Sequence, residues 1–193
     1  MHLLPSGLLV TAGQVPEIRT WNPSNGQWRD VGSISIYRSY GTSILLPLQN
    51  SLSERGKVLI VGGSVTDSSP ATTSVQMLDF NQGTATTPVI RSTASIQNGR
   101  KLLLPTILPN GKVVVFGGSS LANENPVYVP EMFDPVTETW TSLPSASVPR
   151  VYHSVALLLP EGSVQGVLLL DRLGRIERRS TNLATFFLVI GQQ

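Results

Sequence analysis

The stretch GKVLIVGG, residues 56–63, and its near-copy GKVVVFGG, residues 111–118, decide how this chain folds. Each opens on a glycine, runs through apolar and β-branched residues, and closes on a glycine pair. A third member, GLLVTAG over residues 7–13, keeps the spacing but closes on a single glycine. Val- and Ile-rich runs bounded by glycines read as short strands. A closing glycine pair lets such a strand end in a positive-φ conformation where backbones crowd.

The context of the three copies repeats as well. A proline-bearing apolar segment precedes each one: HLLPSG (2–7), ILLPLQNSLSERG (44–56) and TILPNG (106–111). Two copies are followed by an aromatic–x–Pro segment that leads to tryptophan, WNPSNGQW (21–28) and FDPVTETW (133–140). The middle copy has LDFNQGTA (78–85) there, without a tryptophan. The first glycines of the closing positions are 13, 62 and 117, so the steps are 49 and 55 residues. A period of about fifty residues with four short strands per unit is the signature of kelch-type β-propeller blades. One twisted antiparallel sheet cannot bury both of its faces, so blades stack around an axis. The expected fold is therefore all-β: a partial kelch-type propeller of about three to four four-stranded blades. The blades fall roughly at 1–35, 36–92, 93–145 and 146–164, the first without its opening strand. DPVTETW reads as a turn between outer strands, with Trp140 packed between blades. A β-sandwich with incidental glycine repeats is the competing architecture.

Composition is consistent with this. Of the 193 residues, 40% are hydrophobic and 13% charged, with 17 Gly and 14 Pro, too apolar for a disordered chain and rich in turn formers. No apolar run approaches the roughly 20 residues that span a bilayer, so no membrane partner is expected. The opening MHLLPSGLLVTAG has no basic region, and Pro5-Ser6-Gly7 breaks its apolar run, so it is not read as a signal peptide. With no cysteine, the chain holds neither a disulfide nor a thiolate metal site. The net charge of +2 arises after Gly166, where Arg172, Arg175, Arg178 and Arg179 face Asp171 and Glu177. This reads as a solvated surface, and no nucleic-acid partner is expected.

One stretch resists the propeller grammar. In PRVYHSVALLLPEG (149–162), Tyr152 and His153 are neighbours at the mouth of an apolar strand. Neighbours in a strand point to opposite faces, so the two serve one site only if the backbone turns there. The wider segment PEMFDPVTETWTSLPSASVPRVYHSVALLLPEG resembles the galactose oxidase and glyoxal oxidase family of copper-radical oxidases. RSYGTSILLPL (38–48), VLIVGGS (58–64) and HLLPSG are similar to its glyoxal-oxidase-like branch. The likeness runs over residues 1–164 and is strongest at 126–162.

The resemblance implies a kelch propeller followed by an immunoglobulin-like domain, an extracellular setting, and copper. It implies oxidation of a primary alcohol or aldehyde by O2, giving hydrogen peroxide. It assigns Tyr152 as the axial copper ligand and proton acceptor, and His153 as an equatorial copper ligand. Neutral imidazole suits copper, and a phenol beside a metal can take a hydroxyl proton. The family's radical tyrosine is cross-linked to a cysteine, which this chain lacks. Its last histidine lies in the C-terminal domain. Tyr40 aligns with a blade after the radical tyrosine and is read as structural; His2 matches a blade strand and is not nominated. The expectation is a chain inactive alone that does not retain copper, with missing blades or self-association covering its open faces. Residues 165–193 are read as an atypical tail, from a truncated or shifted reading frame or as a hairpin, GVLLLDRLGRIERRS. A kelch scaffold without catalysis, or a carbohydrate-binding sandwich, are the other readings.

Overall fold

The computed structural model describes residues 1–49, 53–121, 124–160 and 162–168, and among these every regular element is a strand. The first sheet holds β1 (His2–Leu3), β2 (Leu9–Thr11), β3 (Glu17–Asn22) and β4 (Gln27–Ser33), antiparallel and in sequence order. The second holds β5 (Thr42–Leu45), β6 (Lys57–Val61), β7 (Val75–Asp79) and β8 (Val89–Thr93) in the same order. After β9 (Leu104–Ile107) and β10 (Val113–Phe116), a separate hairpin of β11 (Ser119–Leu121) and β12 (Glu124–Pro126) intervenes. Then β13 (Glu131–Asp134) and β14 (Thr139–Ser142) complete the third sheet. Last come β15 (Ser154–Leu158) and β16 (Val164–Leu168), an antiparallel pair.

One expectation is corrected here. The first sheet does have an opening strand, because His2 pairs with Val10 and Leu3 with Leu9. The turn that Pro5, Ser6 and Gly7 make is closed by Gly7 N–H donating to the Leu4 carbonyl, 2.9 Å, which returns the chain onto that strand. The expected limit of the repeat region, residue 164, falls on the first residue of β16, whose pairing continues to Leu168. Almost all of the proposed hairpin 166–180 lies outside the described residues.

The sheets stack through alternation along their strands. On β6, Val58 and Ile60 join Leu4, Val10, Ile18 and Val31 of the first sheet in one buried cluster. The intervening Leu59 and Val61 join Val113, Val115 and Phe133 of the third. On β10, Val114 and Phe116 turn the other way, to Val164 of the fourth. A two-residue period thus feeds two interfaces at once. Each such side chain stabilises by roughly 1.5–3 kcal/mol, and Leu59→Ala would cost about 2–5 kcal/mol.

Trp140 does what the sequence suggests. Trp140 pairs across the ladder with Phe133, its ring 5.0 Å away, and its indole N–H donates to the Ala94 carbonyl of the neighbouring sheet at 2.8 Å. The middle repeat has Ile90 opposite Leu78 at this place, and Ile90 packs against the first sheet's cluster. The turn before it is preserved in different letters: Asp79 Oδ1 accepts from the Asn81 and Gln82 amides as Asp134 Oδ1 does from Val136 and Thr137.

Candidate metal site

The Tyr152–His153 pair stands where the third and fourth sheets meet. β15 packs beside β9, and a turn leads into it: the Ser154 amide donates to the Val151 carbonyl at 3.2 Å. Tyr152 and His153 are the two central residues of that turn. His153 takes φ 59°, the left-handed conformation that a turn of this hand needs at its third position. The backbone therefore does turn at the strand mouth, and the two rings lie on the same side. They stack with centroids 3.8 Å apart and planes 28° apart. Both are exposed, Tyr152 by 50%.

An arginine anchors the turn from below. Arg150 is 8% exposed and its guanidinium donates to the Val148 carbonyl at 2.9 Å. Its own carbonyl accepts the Gly118 amide at 2.7 Å. Gly117 has φ 55°, and a β-carbon there would run into that same Arg150 carbonyl. The arrangement recurs one sheet earlier. The Gly63 amide donates to the Arg100 carbonyl at 2.9 Å, and a β-carbon at Gly62 would strike it. So each glycine pair is the seat for the arginine that begins the next sheet. Arg38, Arg100 and Arg150 each stand four residues before the first strand of a sheet. This second repeat was missed in the sequence, although it is visible there once the strand starts are known.

The other two candidates lie elsewhere. Tyr40 has φ 54° in the Arg38–Gly41 turn that starts the second sheet, two sheets from Tyr152. His2 lies in β1, with Nε2 2.9 Å from Ser43 Oγ. Ser43 donates its single proton to the Ala12 carbonyl, so Nε2 is the donor. Burial, helped by the N-terminal ammonium, lowers the His2 pKa to about 4.

Tyr152 and His153 match copper in kind, one phenol and one imidazole, with the two rings side by side and open to solvent. They fall short in number, since Cu(II) favours four tetragonal nitrogen and oxygen donors. Among the described residues no group of three or more His, Cys, Asp or Glu side chains could hold a metal. What is present is one phenol and one imidazole, stacked and open to solvent.

Comparison with known proteins bears on which site. The model of the Kelch motif matches residues 107–147. A galactose oxidase of Gibberella zeae is 30% identical over 115 residues, which cover 57% of this chain and 17% of the relative. An aldehyde oxidase of Arabidopsis thaliana is 28% identical over 153 residues, 69% of this chain and 25% of the relative. The chain thus spans only a minor part of the length of either oxidase. A solved structure, described as a novel fungal alcohol oxidase with catalytic diversity among the AA5 family in complex with copper, superposes with a TM-score of 0.72. That match is 23% identical and covers 83% of this chain and 34% of that one, which supports the propeller fold.

Proposed function

We propose that this kelch chain, similar over part of its length to galactose oxidase and aldehyde oxidase, carries in its Val151–Ser154 turn the copper-facing turn of an oxidase acting on primary alcohols or aldehydes. The observation that carries the reading is the stacked pair itself, a phenol and an imidazole presented together by a left-handed residue at the mouth of a first strand. Left-handed non-glycine residues carry strain of about 1–3 kcal/mol; Tyr40 and Leu102 share the conformation before β5 and β9, so the paired phenol and imidazole are what set this turn apart.

In this reading His153 would offer a neutral imidazole nitrogen to the metal, and Tyr152, as the phenolate that a bound cation favours, would take the substrate's hydroxyl proton and become the phenol. Copper, when bound, supplies a one-electron redox centre. The turn supplies orientation. Arg150, buried just before the turn, holds the backbone there through its guanidinium bond to the Val148 carbonyl and its carbonyl's bond from the Gly118 amide. Two donors among the described residues make a weak site, and we expect no alcohol turnover from the chain by itself.

Titration with Cu(II), followed by paramagnetic resonance, tests this. The expected result is weak binding that His153→Ala abolishes and Tyr40→Phe leaves unchanged, with no tyrosyl-radical signal. Binding indifferent to His153 would reduce the pair to propeller packing and favour a non-catalytic kelch scaffold. Tight one-to-one binding with turnover would show that further donors are present.

A further inference from the structure

Lys101 is fully buried, 0% exposed, and pairs with no carboxylate among the described residues. Its ammonium sits instead among three neutral oxygens: the Asp67 carbonyl at 2.7 Å, the Ser69 carbonyl at 2.9 Å and Ser64 Oγ at 3.3 Å. All three belong to one loop of the preceding sheet, SVTDSS at 64–69. An ammonium has three N–H donors and no acceptor, so donors and acceptors match one to one. A buried charge without such partners would be strongly unfavourable.

The loop is shaped around that position. Its base is closed where the Thr72 amide donates to the Gly63 carbonyl at 2.8 Å, and where Ser39 and Ser64 bond through both backbones. The Asp67 carboxylate is turned outward to Ser39 Oγ, while the Asp67 carbonyl is turned inward to Lys101. Ser64 Oγ gives its own proton to the Thr66 carbonyl at 2.7 Å, which leaves its lone pairs for the ammonium. Two inward carbonyls and an inward hydroxyl form an oxygen cradle of the kind that binds hard cations.

We propose that Lys101 is the resident cation of the 64–69 loop, and that this buried ammonium positions the rim on which the candidate site stands. The connection to the rim is continuous. The Lys101 backbone bonds both ways with Ser119, at 3.0 Å each, and the neighbouring Gly118 amide holds the carbonyl of Arg150, two residues before Tyr152. On the other side the Leu102 amide donates to the Tyr40 carbonyl at 2.9 Å. Lys101 is thus a positioning residue: it touches no part of the Tyr152–His153 turn and acts through the loop and the glycine seat.

Amide hydrogen exchange on Lys101→Met, which keeps most of the side-chain volume and removes the donors, tests this. Exchange over residues 64–70 should rise at least about tenfold, while amides of β2 and β3 change less than about twofold. Lys101→Ala opens a space for an added cation, and methylammonium should restore protection of the loop in that variant. Tetramethylammonium, with no N–H to donate, should not. Unchanged exchange at 64–70 in Lys101→Met would overturn the proposal, as would rescue by both ammonium ions or by neither. If Lys101→Met does not fold, recovery of folded Lys101→Ala by methylammonium alone supports the proposal, and its failure overturns it.

Discussion

Two equivalent places in consecutive sheets solve one problem with opposite electrostatics. In the second sheet, buried Arg38 reaches the Gly62 carbonyl at 2.9 Å, the carbonyl and Oγ of Ser74 just before β7, and Gln76 Oε1 within it. In the third, buried Arg100 reaches the Gly117 carbonyl and the Val129 carbonyl, and forms an ion pair with Glu131 at 2.6 Å. Gln76 pairs across the ladder with Ile60 and Glu131 with Val115, each two residues before its glycine pair, so the two side chains occupy matching positions. Each arginine clasps its own sheet's glycine seat. Arg38 does so with neutral partners, and burial lowers its pKa to about 10, which keeps it charged at neutral pH. Arg100 is also lowered by burial, but Glu131 opposes the shift. A sheet can therefore hold its arginine with neutral oxygens. The carboxylate in the third sheet does more than that, because Glu131 also accepts the Gln97 and Asn98 amides and so organises the segment before Arg100.

The largest expected effect follows from that difference. Glu131→Ala strips a buried cation of its counter-charge and orphans two amides, and it should destabilise by about 3–5 kcal/mol. Gln76→Ala removes neutral hydrogen bonds and should cost only about 1–3 kcal/mol. Denaturant unfolding of both variants measures the gap, and equal losses would break the comparison. Next comes the glycine seat. Gly117→Ala meets the Arg150 carbonyl as well as an unfavourable φ, whereas Gly111 has φ 81° with open space around it. Gly111→Ala should cost roughly 1–2 kcal/mol, the left-handed penalty, and Gly117→Ala clearly more. A Gly117→Ala chain as stable as Gly111→Ala would mean that the seat is not tight.

The smallest effect is a pH slope. His2 titrates near 4 in the fold against about 6.5 in an unfolded chain. The unfolded state therefore takes up a proton first as pH falls. The contribution is complete above pH 6.5 and is lost progressively down to about 4. Arg91 holds Glu138 below the usual carboxylate range, so its contribution is lost only at more acid pH. Stability of His2→Gln followed between pH 7 and 4 should show a flatter slope than the parent, and an identical slope would count against the half-buried, hydrogen-bonded histidine.

The glycine register, the all-β architecture and the role of Trp140 were legible in the sequence because each depends on local spacing or bulk. The strand-mouth turn at Tyr152 and His153 was legible as a condition, since two neighbours can share a face only where the backbone turns. The arginine seats were not. Arg38, Arg100 and Arg150 look like ordinary surface charges until the fold supplies the carbonyls that surround them. Lys101 was hidden in the same way, because its partners lie more than thirty residues earlier in the chain. β1 was missed because a two-residue strand has no periodicity to read.

The chain has two histidines, and only His153 stands beside a second candidate copper donor. Pulsed paramagnetic resonance on Cu(II)-loaded chain labelled with 15N-histidine reads imidazole coordination directly. The predicted result is a single imidazole coupling that persists in His2→Gln and disappears in His153→Gln. A coupling that survives His153→Gln, or that is lost with His2→Gln, would contradict the assignment of His153 to copper.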